Sequence, residues 1–263
     1  MRPLYANTIK AFVFVFTVYV LFGIFLIITQ KSILYYPDNQ DFFDCPGFSD
    51  YEKIVHNNTR MYYLHRSNES VLVYYHGNAE SACARANTRP TLEHNFNHSM
   101  IYVEYAGYSD DTRRPSQEKI LQDIQNTQDF TQNYTNILVY GQSLGAAAAS
   151  YHAGQGGVSA LMLVTPFDSL VHLAQDRYWF YPIRFMLQEH YDNIEWLQDF
   201  EGSVIILHGS DDWIIPPTYS KNLYDSLQTT NKEYFLIESY EHNNIWFSQE
   251  FRSELRTFLE EHS

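Results

Sequence analysis

The segment Ile137–Gly145, which reads ILVYGQSLG and runs directly into Ala146–Ala149, constrains the fold of this chain more than any other. Its first residues form a short, continuous apolar run, the pattern of a strand buried on both faces. The alanines that follow favour a helix. Gly141-Gln142-Ser143-Leu144-Gly145 must therefore turn a strand into a helix within a residue or two. So sharp a turn holds Ser143 in strained backbone and drives the residues two places away against each other or the next strand, which is why glycine is expected at both flanks. The helix start aims its free amides at Ser143, where they favour developing negative charge. Ser143 is the candidate nucleophile.

Around this unit, apolar runs alternate with helix-like stretches, the pattern of a mostly parallel sheet covered by helices on both faces. The strand candidates are Val71–Tyr75, Met100–Glu104, Ile137–Tyr140, Leu161–Val164, Val204–Leu207 and Tyr234–Ile237. The helix candidates lie near Cys83–His94, Ser116–Gln132, Leu144–Ala153, Pro217–Leu227 and Ser248–Glu261, and Glu52–His56 with Met61–Leu64 reads as an opening antiparallel hairpin. With no repeat and no long Pro/Gly/Ser-rich linker, residues 35–263 read as one α/β domain.

A serine nucleophile needs a base, and the base an orienting carboxylate, in the chain order Ser, Asp/Glu, His for a site of this kind. After Val204–Leu207 comes His208-Gly-Ser-Asp-Asp-Trp-Ile-Ile-Pro216, at the strand end where open α/β sheets place their sites. Spacing in the pattern His-Gly-x-x-Asp-x-x-Ile-Pro selects Asp212 over Asp211, although both acids could simply cap the next turn. His242, in the loop after the last strand, is the candidate base. The amide of Leu144 and that of Asn78, in His76-Gly-Asn-Ala-Glu80, are the candidate oxyanion donors. Asp168 is read as a helix N-cap, and His76 and His208 as structural. This chemistry calls for neither a metal nor an organic cofactor.

Ahead of the domain, Ala11–Thr29 carries no charge and is bracketed by Lys10 and Lys31. Such a run is close to the ~20 residues that cross a bilayer as a helix. It is longer than a signal-peptide core and lacks a small-x-small site after it, so it reads as an uncleaved anchor after a short tail, residues 1–10. Arg2 and Lys10 precede it and Asp38, Asp41 and Asp44 follow, which favours a cytoplasmic N-terminus and a lumenal or extracytoplasmic domain. Sequons at Asn57, Asn68, Asn97 and Asn133 fit that side.

The net charge of −14, with only 17 Lys and Arg spread along the chain, argues against nucleic acid as a partner and against docking on anionic headgroups. Aromatic residues at 17% supply a large core and apolar pocket walls. The two cysteines, Cys45 and Cys83, are compatible with one bridge in an oxidising compartment or with two free thiols.

Taken together these motifs resemble the α/β-hydrolase superfamily from Tyr35 onward, and within it the single-pass membrane serine hydrolases related to palmitoyl-thioesterases. The matching residues are Leu34-Tyr35-Tyr36-Pro37-Asp38, His76-Gly-Asn-Ala79, Gly141–Gly145, His208-Gly-x-x-Asp212 and His242-Asn243. The group's Asp-Tyr-Arg-Gly-Tyr-Gly stands here as Glu104-Tyr-Ala-Gly-Tyr-Ser109. The resemblance implies an α/β-hydrolase fold that cleaves an ester or thioester; the few residues between Phe167 and Gly202 leave room for only a minimal lid, and a membrane anchor beside an apolar site suggests a lipid or acylated substrate. The aromatic stretch Tyr178–Tyr181 with Phe185–Leu187 is expected to serve mostly as helix core, with an acyl-chain wall as the other reading. A non-catalytic scaffold on the same fold, or an acyltransferase with the same residues, are the alternatives.

Overall fold

In the computed structural model, which describes residues 2–93 and 96–262, every strand expected from the sequence is present. β1 (Glu52–His56) and β2 (Thr59–Leu64) form the antiparallel hairpin. β3 (Ser70–Tyr75), β4 (Ser99–Glu104), β5 (Asn136–Gln142), β6 (Val158–Val164), β7 (Ser203–Gly209) and β8 (Lys232–Ile237) fall on the six apolar runs, each slightly longer than its run. They form one sheet in the order β1-β2-β4-β3-β5-β6-β7-β8. All pairs from β4 to β8 are parallel, and β2 joins β4 antiparallel. The chain passes from β3 to β4 on one side and returns to β5 on the other, so a crevice opens beyond the carboxyl ends of β3 and β5.

Alternation along the strands builds two cores. Val71, Val73 and Tyr75 of β3 point into a layer with α3 (Gln117–Thr131) and α4 (Leu144–Gly154), while Leu72 and Tyr74 face α2 (Arg89–Glu93) and α9 (Gln249–Glu261). On α9, Phe251, Leu255, Phe258 and Leu259 recur at helical spacing and are buried, and Ser248 caps the helix by accepting from the Phe251 amide. The segment expected as helix over Cys83–His94 is a 3₁₀ stretch, Cys83–Thr88, followed by α2; His94 lies outside the described residues. Cys45 and Cys83 form a disulfide, which closes one of the two possibilities the sequence leaves open.

Two features depart from expectation. α1 is one continuous helix over Arg2–Leu34, so residues 2–10 share one helix with the uncharged run, and its apolar portion Asn7–Leu34 is long enough to cross a membrane by length and composition. Proline at the third position is tolerated in a first turn, and no breaker separates Lys10 from Ala11. The Thr17 and Thr29 hydroxyls donate to the carbonyls of Val13 (2.8 Å) and Phe25 (2.7 Å), so neither needs a partner from outside the helix. The connection between β6 and β7 contains three short helices, α5 (Leu170–Arg177), α6 (Ile183–Met186) and α7 (Asn193–Trp196), and no lid domain. Its aromatic residues are not mainly core: Tyr181 is buried, but Trp179 is 77% exposed, Phe180 44% and Phe185 86%. After β7, α8 (Pro217–Ser226) completes the helical layer.

Candidate active site

The strand-to-helix turn has the strain its sequence requires. Ser143 adopts φ 55°, ψ −118°, a left-handed backbone rare for a residue with a Cβ. A Cβ on Gly141 would stand 2.1 Å from the Gly145 carbonyl oxygen, and one on Gly145 would stand 2.2 Å from that of Tyr75, so both flanking positions exclude any side chain. Leu144 supplies the first amide of α4, directly after Ser143.

The other elements deliver their residues to the same end of the sheet. Asp212, in the loop after β7, is buried and accepts from His242 Nδ1 at 2.6 Å. The same oxygen accepts from His208 Nε2 at 3.1 Å, while Oδ1 accepts the Ile214 and Ile215 amides, each at 2.9 Å. Burial pushes this carboxyl up, but the His208 and His242 hydrogen bonds, the His242 charge and the Ile215 amide outweigh it and hold Asp212 well below the usual carboxylate range. Asp211 is exposed and accepts only from the Ser210 hydroxyl, so geometry agrees with spacing in selecting Asp212. Asp168 is buried and bonded to the Ser169 amide, His172 and Asn222, far from any tie to His242; Ser169, not Asp168, caps α5.

Gln142, the residue before Ser143, links the His242 loop to the turn. Its side-chain amide donates to the His242 carbonyl at 3.4 Å and accepts from Trp246 Nε1 at 2.8 Å. No hydrogen bond joins Ser143 Oγ to His242 here; in unliganded sites such contacts are often long and tighten with substrate. Sequence reasoning misses Gln142, although its place inside the Gly-x-Ser-x-Gly pattern is an available signal.

On the β3 side, the Gly77 backbone lies against the turn, so close that a Cβ added there would stand 3.6 Å from Ser143 Cβ. The Asn78 side chain is occupied elsewhere: Oδ1 accepts from the Tyr36 amide (3.0 Å) and the Tyr108 hydroxyl (2.7 Å), and Nδ2 donates to the Leu34 carbonyl. The Leu34–Asp38 motif thus fastens the end of α1 to the loop expected to donate to an oxyanion. Asp38 continues the fastening by accepting from the Ser81 hydroxyl at 2.6 Å, and buried Tyr35 bonds Glu189 and Tyr191. Ala106, at the position of the resembling group's arginine, is buried with its amide on Asp123, and Arg113 pairs with that carboxylate at 3.0 Å.

His76 and Glu104 form a buried pair beneath this loop, with Nε2 and Oε2 3.5 Å apart. His76 Nδ1 donates to the Gly77 carbonyl, leaving Nε2 as an acceptor, and burial lowers the imidazole to about 3. Burial likewise pushes Glu104 up to about 8, against hydrogen bonds from the Ala82 and Cys83 amides that act the other way. A protonated Glu104 can donate to His76 Nε2. Because the folded pKa is raised, this group's contribution favours the fold below the unfolded carboxyl value of about 4.3 and is lost as pH rises through about 8. Because the lowered His76 gives the opposite slope below its unfolded value of about 6.5, the effect is read as a difference: denaturant midpoints measured from pH 5 to 8 are expected to lose ground with rising pH in the wild type relative to Glu104→Gln, whose amide donates permanently. Equal slopes in the two proteins would remove Glu104 as the cause.

An eight-stranded, mostly parallel sheet bearing a strained serine at the β5–α4 turn and an Asp–His pair after β7 and β8 defines a hydrolase-type α/β architecture. The chain belongs to the α/β-hydrolase superfamily. It is 30% identical over 190 residues to an uncharacterized protein of Mycobacterium tuberculosis, covering 70% of this chain and 67% of that one. Protein ABHD12B of Homo sapiens is 26% identical over 231 residues, covering 74% of this chain and 61% of the human protein. Among solved structures, the Pyrococcus furiosus esterase Pf2001 superposes with a TM-score of 0.68 at 14% identity, covering 87% of this chain and 98% of the esterase. The Paleococcus ferrophilus monoacylglycerol lipase gives 0.58 at 14% identity, covering 78% and 99%. These two likenesses concern the fold. No family model matches the chain.

Proposed function

We propose that this protein is a membrane-anchored serine hydrolase that cleaves an ester or thioester through Ser143, His242 and Asp212. The observation that carries the reading is the 2.6 Å bond from His242 Nδ1 to Asp212, with the His242 carbonyl held by the residue that precedes Ser143. Asp212 fixes the tautomer that leaves Nε2 free to accept a proton. His242 takes the Ser143 hydroxyl proton as Oγ bonds to the acyl carbon, and the amides of Leu144 and Asn78 hold the resulting oxyanion. His242 then protonates the departing alcohol or thiol as its bond to the acyl carbon breaks. Water repeats the sequence on the acyl-enzyme, releasing the acid and restoring the serine. Esterases and lipases among the structural neighbours are consistent with this chemistry.

The anchor in this reading is α1, retained and spanning the bilayer, with the catalytic domain on the lumenal or extracytoplasmic side. The Cys45–Cys83 disulfide supports an oxidising compartment, and all four sequon asparagines are exposed. A fluorophosphonate probe is expected to label the detergent-solubilised full chain and to leave Ser143→Ala unlabelled. A folded wild type that takes up no probe would overturn the hydrolase reading in favour of a non-catalytic use of the fold.

A further inference from the structure

Between α1 and the α5–α6 segment lies an apolar cavity of about 150 Å³ that the triad chemistry does not require. Leu26, Ile27 and Leu34 form one wall, and Leu170, Ala174 and Met186 form much of the other. Gln30 is the one carboxamide on its lining, and its bonding is used up. Its Nε2 donates to Ile27 (2.8 Å) and Met186 (3.3 Å), and its Oε1 accepts from the Gln188 amide (2.7 Å). The cavity is partly open to its surroundings and almost wholly apolar, so it suits a segment of hydrocarbon chain entering from outside better than it suits water.

Both ends of the cavity bear on what that guest is. At the inner end, Leu34 is bonded through its carbonyl to Asn78, and Leu34 and Leu170 belong to the same packed cluster as Leu144, the neighbour of Ser143. Towards the other end, the segment runs down along α1. Tyr181 stacks on Tyr19 at 4.4 Å, and the Tyr19 hydroxyl donates to the Phe180 carbonyl at 2.9 Å. The stretch from Tyr19 to Lys31 spans about 18 Å of helix, so the segment's tip lies beside the apolar part of α1. There Trp179, Phe180 and Phe185 project outward, an aromatic patch whose natural medium is lipid. Exposed Arg177 and Arg184 have stems long enough to carry their charges to the headgroups.

Resting on the hydrolase and anchor reading above, we infer that this cavity receives the acyl chain of a bilayer lipid, which enters beside α1, so that the substrate is a long-chain acyl ester resident in the membrane. The anchor is then one wall of the substrate site as well as a tether.

Full-length protein reconstituted in phosphatidylcholine vesicles tests this with 4-nitrophenyl palmitate and 4-nitrophenyl acetate. Ala174→Trp fills the cavity; Ala174→Leu, a smaller intrusion, replaces it if the tryptophan variant does not fold. Each buried methylene is worth about fourfold, so the palmitate-to-acetate ratio of kcat/KM is expected to fall by more than about tenfold. Ile28→Trp, on the outward face of α1 where Ile28 is 76% exposed, is expected to leave that ratio within about twofold. An unchanged ratio in an active Ala174 variant overturns the inference. A second measurement does not depend on turnover: phosphatidylcholine with a diazirine on its palmitoyl chain is irradiated with Ser143→Ala in vesicles. Adducts on Leu170–Leu187 that vanish with Ala174→Trp support the cavity; adducts confined to the outward face of α1 overturn it. Wild type inactive on both esters would overturn the hydrolase reading alone, with the labelling still deciding the cavity.

Discussion

Replacing Asp212 by asparagine is expected to lower kcat on a short-chain ester by about 10⁴-fold with little change in KM. The reason is tautomeric. Oδ2 receives two N–H donors, from His242 at 2.6 Å and His208 at 3.1 Å, while Oδ1 holds the Ile214 and Ile215 amides. An asparagine that keeps its oxygen on the two backbone amides turns an NH₂ towards both imidazoles. His242 Nδ1 must then become an acceptor, its proton moves to Nε2, and the ring can no longer take the serine proton. The parallel change Asp211→Asn, at an exposed carboxylate with no bond to either histidine, is expected to leave kcat within about twofold. The stability consequence has a definite sign. A carboxyl held below its ordinary value contributes stability above the unfolded pKa of about 3.9 and loses it as pH falls further. The wild type should therefore be the more stable protein at pH 6, with the difference shrinking only in strong acid. Steady-state kinetics and denaturation of the two variants decide the matter: a kcat for Asp212→Asn within tenfold of wild type would rule out Asp212 as the orienting acid.

The parts of this molecule that are legible in sequence are those fixed by local chemistry. Five buried strands announce themselves as apolar runs because both faces of a covered parallel sheet must be apolar, whereas the sixth run, β8, is an edge strand that is buried only at Ile237. The Ser143 turn is legible because only glycine fits at 141 and 145, and Asp212 because the loop after β7 has a recognisable spacing. What is not legible depends on residues distant in the chain meeting in space. Nothing in the stretch Tyr178–Leu187 says that it packs along α1, so its aromatics read as core; only the Tyr19–Tyr181 stack and the Gln30 and Gln188 bonds reveal why Trp179 and Phe185 remain outside. Lys10 and Lys31 bound the uncharged run but not α1, which continues to Arg2 and Leu34, because a lysine does not interrupt a helix. His208 reads as structural, and its bond to Asp212 places it next to the site without bringing it to Ser143. The fastening of the end of α1 to the loop after β3 is hidden most deeply, since it rests on side-chain bonds between residues 34–38 and 78–81.

The same geometry makes Gly145 the position where the smallest chemical change should do most damage to the fold. Gly145 lies in the first turn of α4, and an added Cβ would stand 2.2 Å from the Tyr75 carbonyl oxygen and 2.4 Å from that of His76. Both atoms are backbone: Tyr75 ends β3 and is paired with β4 and β5, and the His76 carbonyl just beyond it accepts from the buried Tyr105 hydroxyl at 2.9 Å, so neither can swing aside as a long side chain would. Relief requires α4 to lift from β3, which would strip contacts from Ala146, Ala149 and Ala153, all buried in the same core. It would also separate the Ser143 turn from the Gly77 loop. Gly145→Ala is therefore expected to destabilise the protein by more than about 4 kcal/mol, the range reserved for backbone clash and core disruption. At about 2–4 °C per kcal/mol for a domain of this size, Tm should fall by about 10 °C or more. Gly156→Ala provides the comparison: Gly156 also carries a positive φ, 96°, but an added Cβ there meets nothing within 4 Å, so only the backbone strain of about 1–2 kcal/mol is expected. Thermal unfolding of both variants in detergent separates the two effects. If Gly145→Ala melts no lower than Gly156→Ala, the close approach of α4 to β3 is not what holds the turn in place.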